Sequence, residues 1–173
     1  LSDLSFSDIR ANSKAVCGYS DITSIHYGIL SQSNLVTFYG PCAITEFGEY
    51  PAPFKYTVER FAAVFRGEGL SRVEPAPEWT DEVLDWTQRL DTERKRERVD
   101  NPGYEWLREG VAEGPLLGGC LQTLSRLVGT DFWPDHEGAI LLLDIPEGGS
   151  VGEHISVPEA HSALAHLKTA GVF

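Results

Sequence analysis

Apolar residues along this chain fall into short runs and helical stripes, cut by Gly and Pro. Ala15-Val16-Cys17 is a short apolar run that stops at Gly18. Ile22, Ile25 and Ile29 come next at spacings of three and four, the period of a helix with one buried face. Leu35 to Tyr39 is β-branched and aromatic and stops at Gly40-Pro41, which predicts a second strand. Strand, helix, strand in that order predicts a parallel pair with a right-handed crossover. Such sheets carry their sites beyond the carboxyl ends of the strands, so Tyr19-Ser20 and Gly40-Pro41 share one rim. Ser2 to Ser13 is polar with scattered apolar residues, a short helix or turn leading in.

Further along, residues 44–53 are rich in Gly, Pro and Glu and predict a loop. Val58, Phe61, Ala62 and Phe65 trace one face of a helix that Gly67 terminates. Pro75 and Pro77 punctuate the next segment and divide the chain into two domain pieces, 1–76 and 77–173. Gly118-Gly119 precedes Leu121, Leu124, Leu127 and Val128, again the helical period. That Gly pair lacks the lysine of a nucleotide loop and the third glycine of a dinucleotide fingerprint, so close packing of a helix start is its expected role. Ala139 to Leu143 is continuously apolar and too short for a helix, which predicts a central strand buried on both faces, with Asp144 at its end and Ile145-Pro146 stopping it. Ser156-Val157-Pro158-Glu159 has capping-box spacing and opens a helix buried through Ala160, Ala163, Leu164 and Leu167. The fold class is α/β.

Charge and composition narrow the partners. The 173 residues carry 14 Lys and Arg against 26 Asp and Glu, a formal charge of −12. Such a surface repels phosphate backbones and anionic lipid, so neither nucleic acid nor membrane is an expected partner. No apolar run reaches the length of a bilayer span and no signal peptide opens the chain. Cys17, Cys42 and Cys120 are scattered and odd in number, which reads as reduced thiols and a cytoplasmic setting. No zinc pattern is present, and His161 and His166 are five apart, on different sides of their helix, so no metal or other cofactor is expected. Thr92 to Asp100 mixes Arg94, Lys95, Arg96 and Arg98 with Glu93 and Glu97; it reads as a solvated face with those two glutamates as local partners. Methionine is absent even at position 1, and the chain ends on apolar Ala170-Gly171-Val172-Phe173. Both features predict the middle of a longer protein.

Candidate chemistry concentrates at Gly18-Tyr19-Ser20-Asp21. A strand turning sharply into a helix lifts the residue at the bend above the sheet, with the next N–H groups aimed at whatever binds there. Ser20 is then a nucleophile; alternatively Ser20 or Asp21 simply caps the helix. All four tryptophans lie between Trp79 and Trp133. Trp79 and Trp86 are seven apart, so they either share a buried helix face or sit in an acidic loop with Asp81, Glu82 and Asp85.

The ordered set Asp8-Ile9-Arg10-Ala11-Asn12, Gly18 to Thr23, Thr37-Phe38-Tyr39-Gly40-Pro41, Trp79-Thr80-Asp81-Glu82, Glu113 to Gly119 and Ala139 to Asp144 resembles the LD-carboxypeptidase family of serine peptidases. It is most similar to the microcin C self-immunity branch. The resemblance implies part of a flavodoxin-like, parallel-sheet domain that bears the nucleophile, followed by part of a smaller, swivelling α/β domain. It implies Ser20 as nucleophile, the N–H of Asp21 in the oxyanion hole, and Asp144 in place of the family's glutamate, orienting a histidine; Glu147 is the fallback acid. Tyr19 and Gly40 on the rim, with Trp79 and Trp86, are the implied substrate contacts. No histidine among His26, His136, His154, His161 and His166 falls on the family's motif, which would lie beyond Phe173, and the Gly-Gly turn of the oxyanion hole would lie before Leu1. The implied substrate is a peptidyl- or aminoacyl-nucleotide, or else a murein tetrapeptide; the implied assembly is a homodimer. A binding relative without turnover, or half of a split assembly, is the other class the missing histidine allows.

Overall fold

The computed structural model describes residues 1–67, 72–145 and 153–173. Helices and strands run in the order α1 (Phe6–Ala11), β1 (Cys17–Gly18), α2 (Thr23–Ser33), β2 (Phe38–Tyr39), α3 (Lys55–Phe65), β3 (Glu78–Trp79), β4 (Val99–Asp100), β5 (Leu116–Cys120), α4 (Leu121–Leu127), β6 (Ile140–Asp144) and α5 (Val157–Thr169). They form two compact units, one of Leu1–Gly40 with Val111–Phe173 and one of Pro41–Gly110. The boundary expected near residue 76 falls inside the second of these.

In the first unit β1 pairs in parallel with β2, Cys17 opposite Phe38 and Gly18 opposite Tyr39, as the strand, helix, strand order predicts. β5 pairs in parallel with β6 from Leu116–Ile140 to Cys120–Asp144. The helix α4 makes the crossover between them. Leu121, Leu124 and Leu167 are fully buried and join Tyr27 and Leu127 in one core that ties α2, α4 and α5 together. Each such leucine contributes about 1.5–3 kcal/mol. The helix α5 opens on the expected capping box, with Ser156 and Glu159 each bonding the other's backbone N–H.

Sequence and structure part ways at four places. Gly118 and Gly119 lie in a strand rather than at a helix start, for a steric reason: a Cβ on Gly118 would stand 1.8 Å from the Leu142 carbonyl oxygen, and one on Gly119 would stand 2.6 Å from Thr23 Oγ1. Strand β6 is not buried on both faces. Ile140 and Leu142 are 38% and 45% exposed, because the helices cover one side only. The buried residues of α2 are Thr23, His26, Tyr27, Gly28, Ile29 and Ser33, so of the three isoleucines only Ile29 is fully inside.

The fourth difference lies in the second unit. There α3 packs through Phe61, whose ring meets Phe47 at 4.9 Å and Phe65 at 4.5 Å. Trp79 belongs to a strand, β3, antiparallel to β4, and Trp86 to a turn; neither shares a buried helix face. The arginines of the charge run reach past their neighbours. Arg96 Nε donates to Glu49 at 2.8 Å, Arg94 pairs with Glu82, and Arg98 donates to Glu78 at 2.8 Å. Pairing of β3 with β4 brings Glu78 within reach of Arg98, and the fold brings Glu49 and Glu82 to Arg96 and Arg94, which no local spacing could show.

Candidate active site

Gly18 ends β1, and the chain turns at once. Tyr19 is extended (φ −138°, ψ −171°), Ser20 is left-handed (φ 58°), and Ser20–Ile22 form a single 3-10 turn that runs into α2. A left-handed serine costs about 1–2 kcal/mol, and such strain persists only where the surroundings hold it. Close packing under the bend is visible at Gly18, where a Cβ would meet the Ile22 side chain at 3.1 Å. Ser20 itself is exposed. Capping is not what these residues do here: neither the 3-10 turn nor α2 has a side-chain cap. The Asp21 carboxylate instead accepts from Thr123 Oγ1 at 3.1 Å.

The elbow is fastened from below and from the side. His26 Nε2 donates to the Gly18 carbonyl at 3.0 Å, and Gly40 N–H donates to the same oxygen at 3.2 Å. Since a carbonyl only accepts, His26 carries its proton on Nε2. Its Nδ1 is buried with no hydrogen-bond partner among the described residues. Burial pushes the His26 pKa below the usual imidazole value, against the smaller opposing effect of the Gly18 bond. Thr23, fully buried, accepts the Cys120 N–H at 3.0 Å and so fixes the start of α2 to the end of β5.

Asp144 ends β6 beside Cys120, half-buried. Its Oδ2 accepts from the Tyr39 hydroxyl, and the Ser20 N–H donates to that same hydroxyl at 3.1 Å. Ser20, Tyr39 and Asp144 are thus one hydrogen-bonded series across the carboxyl ends of β1, β2 and β6. Burial first, and then the bond to Asp144, push the Tyr39 phenol well above its ordinary pKa. Tyr19 and Gly40 lie on this rim, as the strand ends require. Trp79 and Trp86, 44% and 58% exposed, belong to the other unit. Glu147 lies outside the described residues.

Among the described residues no histidine bonds Ser20 or Asp144. His26 serves Gly18, and His136 Nε2 accepts a hydrogen bond from the Tyr27 hydroxyl at 3.1 Å while its Nδ1 donates to the Pro134 carbonyl at 2.8 Å. His154, His161 and His166 are exposed. No group of three or more His, Cys, Asp or Glu is placed to hold a metal ion among the described residues. No helix there is long and apolar enough to cross a membrane. An open groove of about 670 Å³ lined by Trp133–Ala139 and Ala170–Val172 lies at the start of β6, the opposite end from Asp144. Sequence reading missed Tyr39, Thr23, Thr123 and His26. The signal for Tyr39 was present in its position, last in a strand and next to the rim glycine.

A left-handed serine on a strand-to-helix bend is thus linked through one phenol to a carboxylate at a parallel strand's end. The chain belongs to the LD-carboxypeptidase family: residues 1–40 match its N-terminal domain and residues 113–173 its C-terminal domain. A putative carboxypeptidase of Vibrio cholerae is 30% identical over 98% of this chain and 48% of that protein. The microcin C7 self-immunity protein MccF of Escherichia coli is 32% identical over 82% of this chain and 41% of its own length. The solved structure of MccF with glutamyl sulfamoyl guanosine superposes with a TM-score of 0.78 at 27% identity, over 99% of this chain and 49% of that one. MccF with aspartyl sulfamoyl adenosine has the same score at 28% identity, over 99% and 49% of the two chains. The chain therefore spans about half the length of the relatives it matches.

Proposed function

We propose that this chain is the nucleophile-bearing part of a serine hydrolase that cleaves an amide-type bond through an acyl-enzyme. The observation that carries the reading is Ser20, exposed and left-handed on the elbow. Residues 1–40 belong in this reading to the flavodoxin-like nucleophile domain, and 113–173 to the smaller domain that supplies Asp144. Ser20 Oγ attacks the substrate carbonyl, its proton passes to an imidazole, and the imidazole returns it to the leaving amine. Asp144 holds that imidazole, which comes from outside these 173 residues. The Asp21 N–H donates to the developing oxyanion, a contact of the kind worth about 2.7–4 kcal/mol. The 173 residues alone are inactive.

The substrate we favour is a peptidyl- or aminoacyl-nucleotide, whose cleavage detoxifies it. MccF binds such compounds, and Trp79 and Trp86 offer exposed rings that would stack on a base with about 1–3 kcal/mol each. The second reading, release of a terminal D-alanine from a murein tetrapeptide, draws support from the carboxypeptidase relatives. Two assays on the full-length protein decide. A fluorophosphonate probe should label Ser20 in the wild type and not in Ser20→Ala; absence of labelling would leave a non-catalytic binding protein. Aspartyl sulfamoyl adenosine should be hydrolysed in preference to the tetrapeptide, and cleavage of the tetrapeptide alone would overturn the nucleotide reading.

A further inference from the structure

We infer that Tyr39 is a positioning residue, whose single phenol oxygen holds the acid Asp144 in place against the elbow that carries Ser20. The inference deepens the proposed hydrolase function and rests on it. Tyr39 is the last residue of β2 and pairs with Gly18 in the register, so it stands on the rim where the two halves of the site meet. A phenol has one proton. It goes to the Asp144 carboxylate, which only accepts, and the oxygen's lone pairs are left to receive the Ser20 N–H at 3.1 Å. The direction of both bonds is therefore fixed.

This arrangement constrains the chemistry twice. The Ser20 N–H is spent on Tyr39, so the oxyanion must be met by the next amide along, that of Asp21. Oδ2 of Asp144 already has one lone pair engaged by the phenol, so Oδ1 is the oxygen better able to receive an arriving imidazole. One oxygen thereby sets both the orientation of the acid and the donor that remains for the oxyanion. The groups facing the phenol are Asp144 on β6, Cys120 on β5 and His26 on α2, whose ring lies edge-on at 6.2 Å. His26 is tied to the Gly18 carbonyl, so the tyrosine leans on a ring that cannot swing away. Burial keeps the phenol protonated well beyond neutral pH, and the donor is present wherever the enzyme would work.

The test uses the full-length protein and the rate of fluorophosphonate labelling against pH. Wild-type protein is measured first: a wild type that is not labelled at Ser20 sinks the hydrolase reading, and the inference with it. Given labelling, Tyr39→Phe should slow it roughly 10- to 100-fold, the cost of one hydrogen bond to a charged group. Its acid limb should move to higher pH, because a carboxylate that has lost a donor holds imidazolium more tightly. With substrate, kcat should fall while KM stays near wild type. In an Asp144→Asn background Tyr39→Phe should add little further slowing, since both changes then act through one group. Should Tyr39→Phe fail to fold, difluorotyrosine at position 39 keeps the shape and donates more strongly, and the acid limb should move to lower pH. Labelling of Tyr39→Phe at the wild-type rate with an unmoved limb, full additivity with Asp144→Asn, or an unmoved limb in the fluorinated protein would overturn the inference and leave the hydrolase intact.

Discussion

Replacing Gly118 by alanine tests the packing on which the site stands. Gly118 has φ 138°, and a Cβ there would lie 1.8 Å from the Leu142 carbonyl oxygen and 2.8 Å from the Leu142 nitrogen. These are backbone atoms of the paired strand, so no side-chain rotation relieves the clash. Strand β5 must draw back from β6, with overpacking strain of about 1–3 kcal/mol, and at least one ladder bond is weakened at about 1 kcal/mol. The unfavourable φ adds about 1–3 kcal/mol. The expected loss is about 3–7 kcal/mol in all. Two controls separate the contributions. Gly129, with φ 77° and nothing within 4 Å, should lose only about 1–2 kcal/mol as alanine. Gly110, with open space and no positive φ, should change little or gain about 0.4–1 kcal/mol. Urea unfolding of the full-length variants, monitored by circular dichroism, gives the three values. Gly118→Ala no worse than Gly129→Ala would show that β5 and β6 do not approach as described.

Other outcomes can be checked alongside. Glu49, whose side chain is 6% exposed beneath Arg96, should cost about 1–3 kcal/mol when changed to Gln. The exposed Arg72–Glu74 pair, 80% and 51% exposed, should be worth under about 0.5 kcal/mol by the same urea assay. His26 and His136 both have folded pKa values lowered by burial from 6.5, so the unfolded chain takes up their protons first as pH falls. Their contribution is complete above about 6.5 and declines below it; unfolding free energy measured from pH 7 to 5 should fall, and less steeply in His26→Gln and in His136→Gln. A slope unchanged in both variants would contradict this. Ser156→Ala removes half of the capping box of α5 and should cost about 1 kcal/mol in thermal or urea unfolding.

Legibility tracked the physics of each element. The helices α3 and α5 were plain because their apolar residues repeat at helical spacing and because Ser156 and Glu159 announce a start. The elbow was plain because a short run, a glycine and a helical stripe leave only one place for a bend. In α2 the period misled: Thr23 and His26 are inside because each satisfies a backbone group, the Cys120 N–H and the Gly18 carbonyl, and pattern reading assigns polar residues to solvent. Strand β5 was missed because two glycines argue against a strand, and the reason for them, close approach to Leu142 and Thr23, lies more than twenty residues away in both directions. Asp144 was legible as a strand's end. Tyr39 was legible as the last residue of a strand at the rim; its bond was not, since nothing in a run of β-branched and aromatic residues says which ring will find a carboxylate 105 positions on.

The chain leaves the first unit after Gly40 and returns at Val111, so the whole segment bearing Trp79 and Trp86 is an excursion whose two ends are anchored in the same body. Closing such an excursion costs entropy that grows only with the logarithm of its length, about 0.6 kcal/mol for each doubling. Lineages can therefore lengthen, trim or rewrite it with almost no thermodynamic penalty to the scaffold bearing Ser20. The unit that carries Ser20, Tyr39 and Asp144 can thus stay as it is while the segment between Gly40 and Val111 changes.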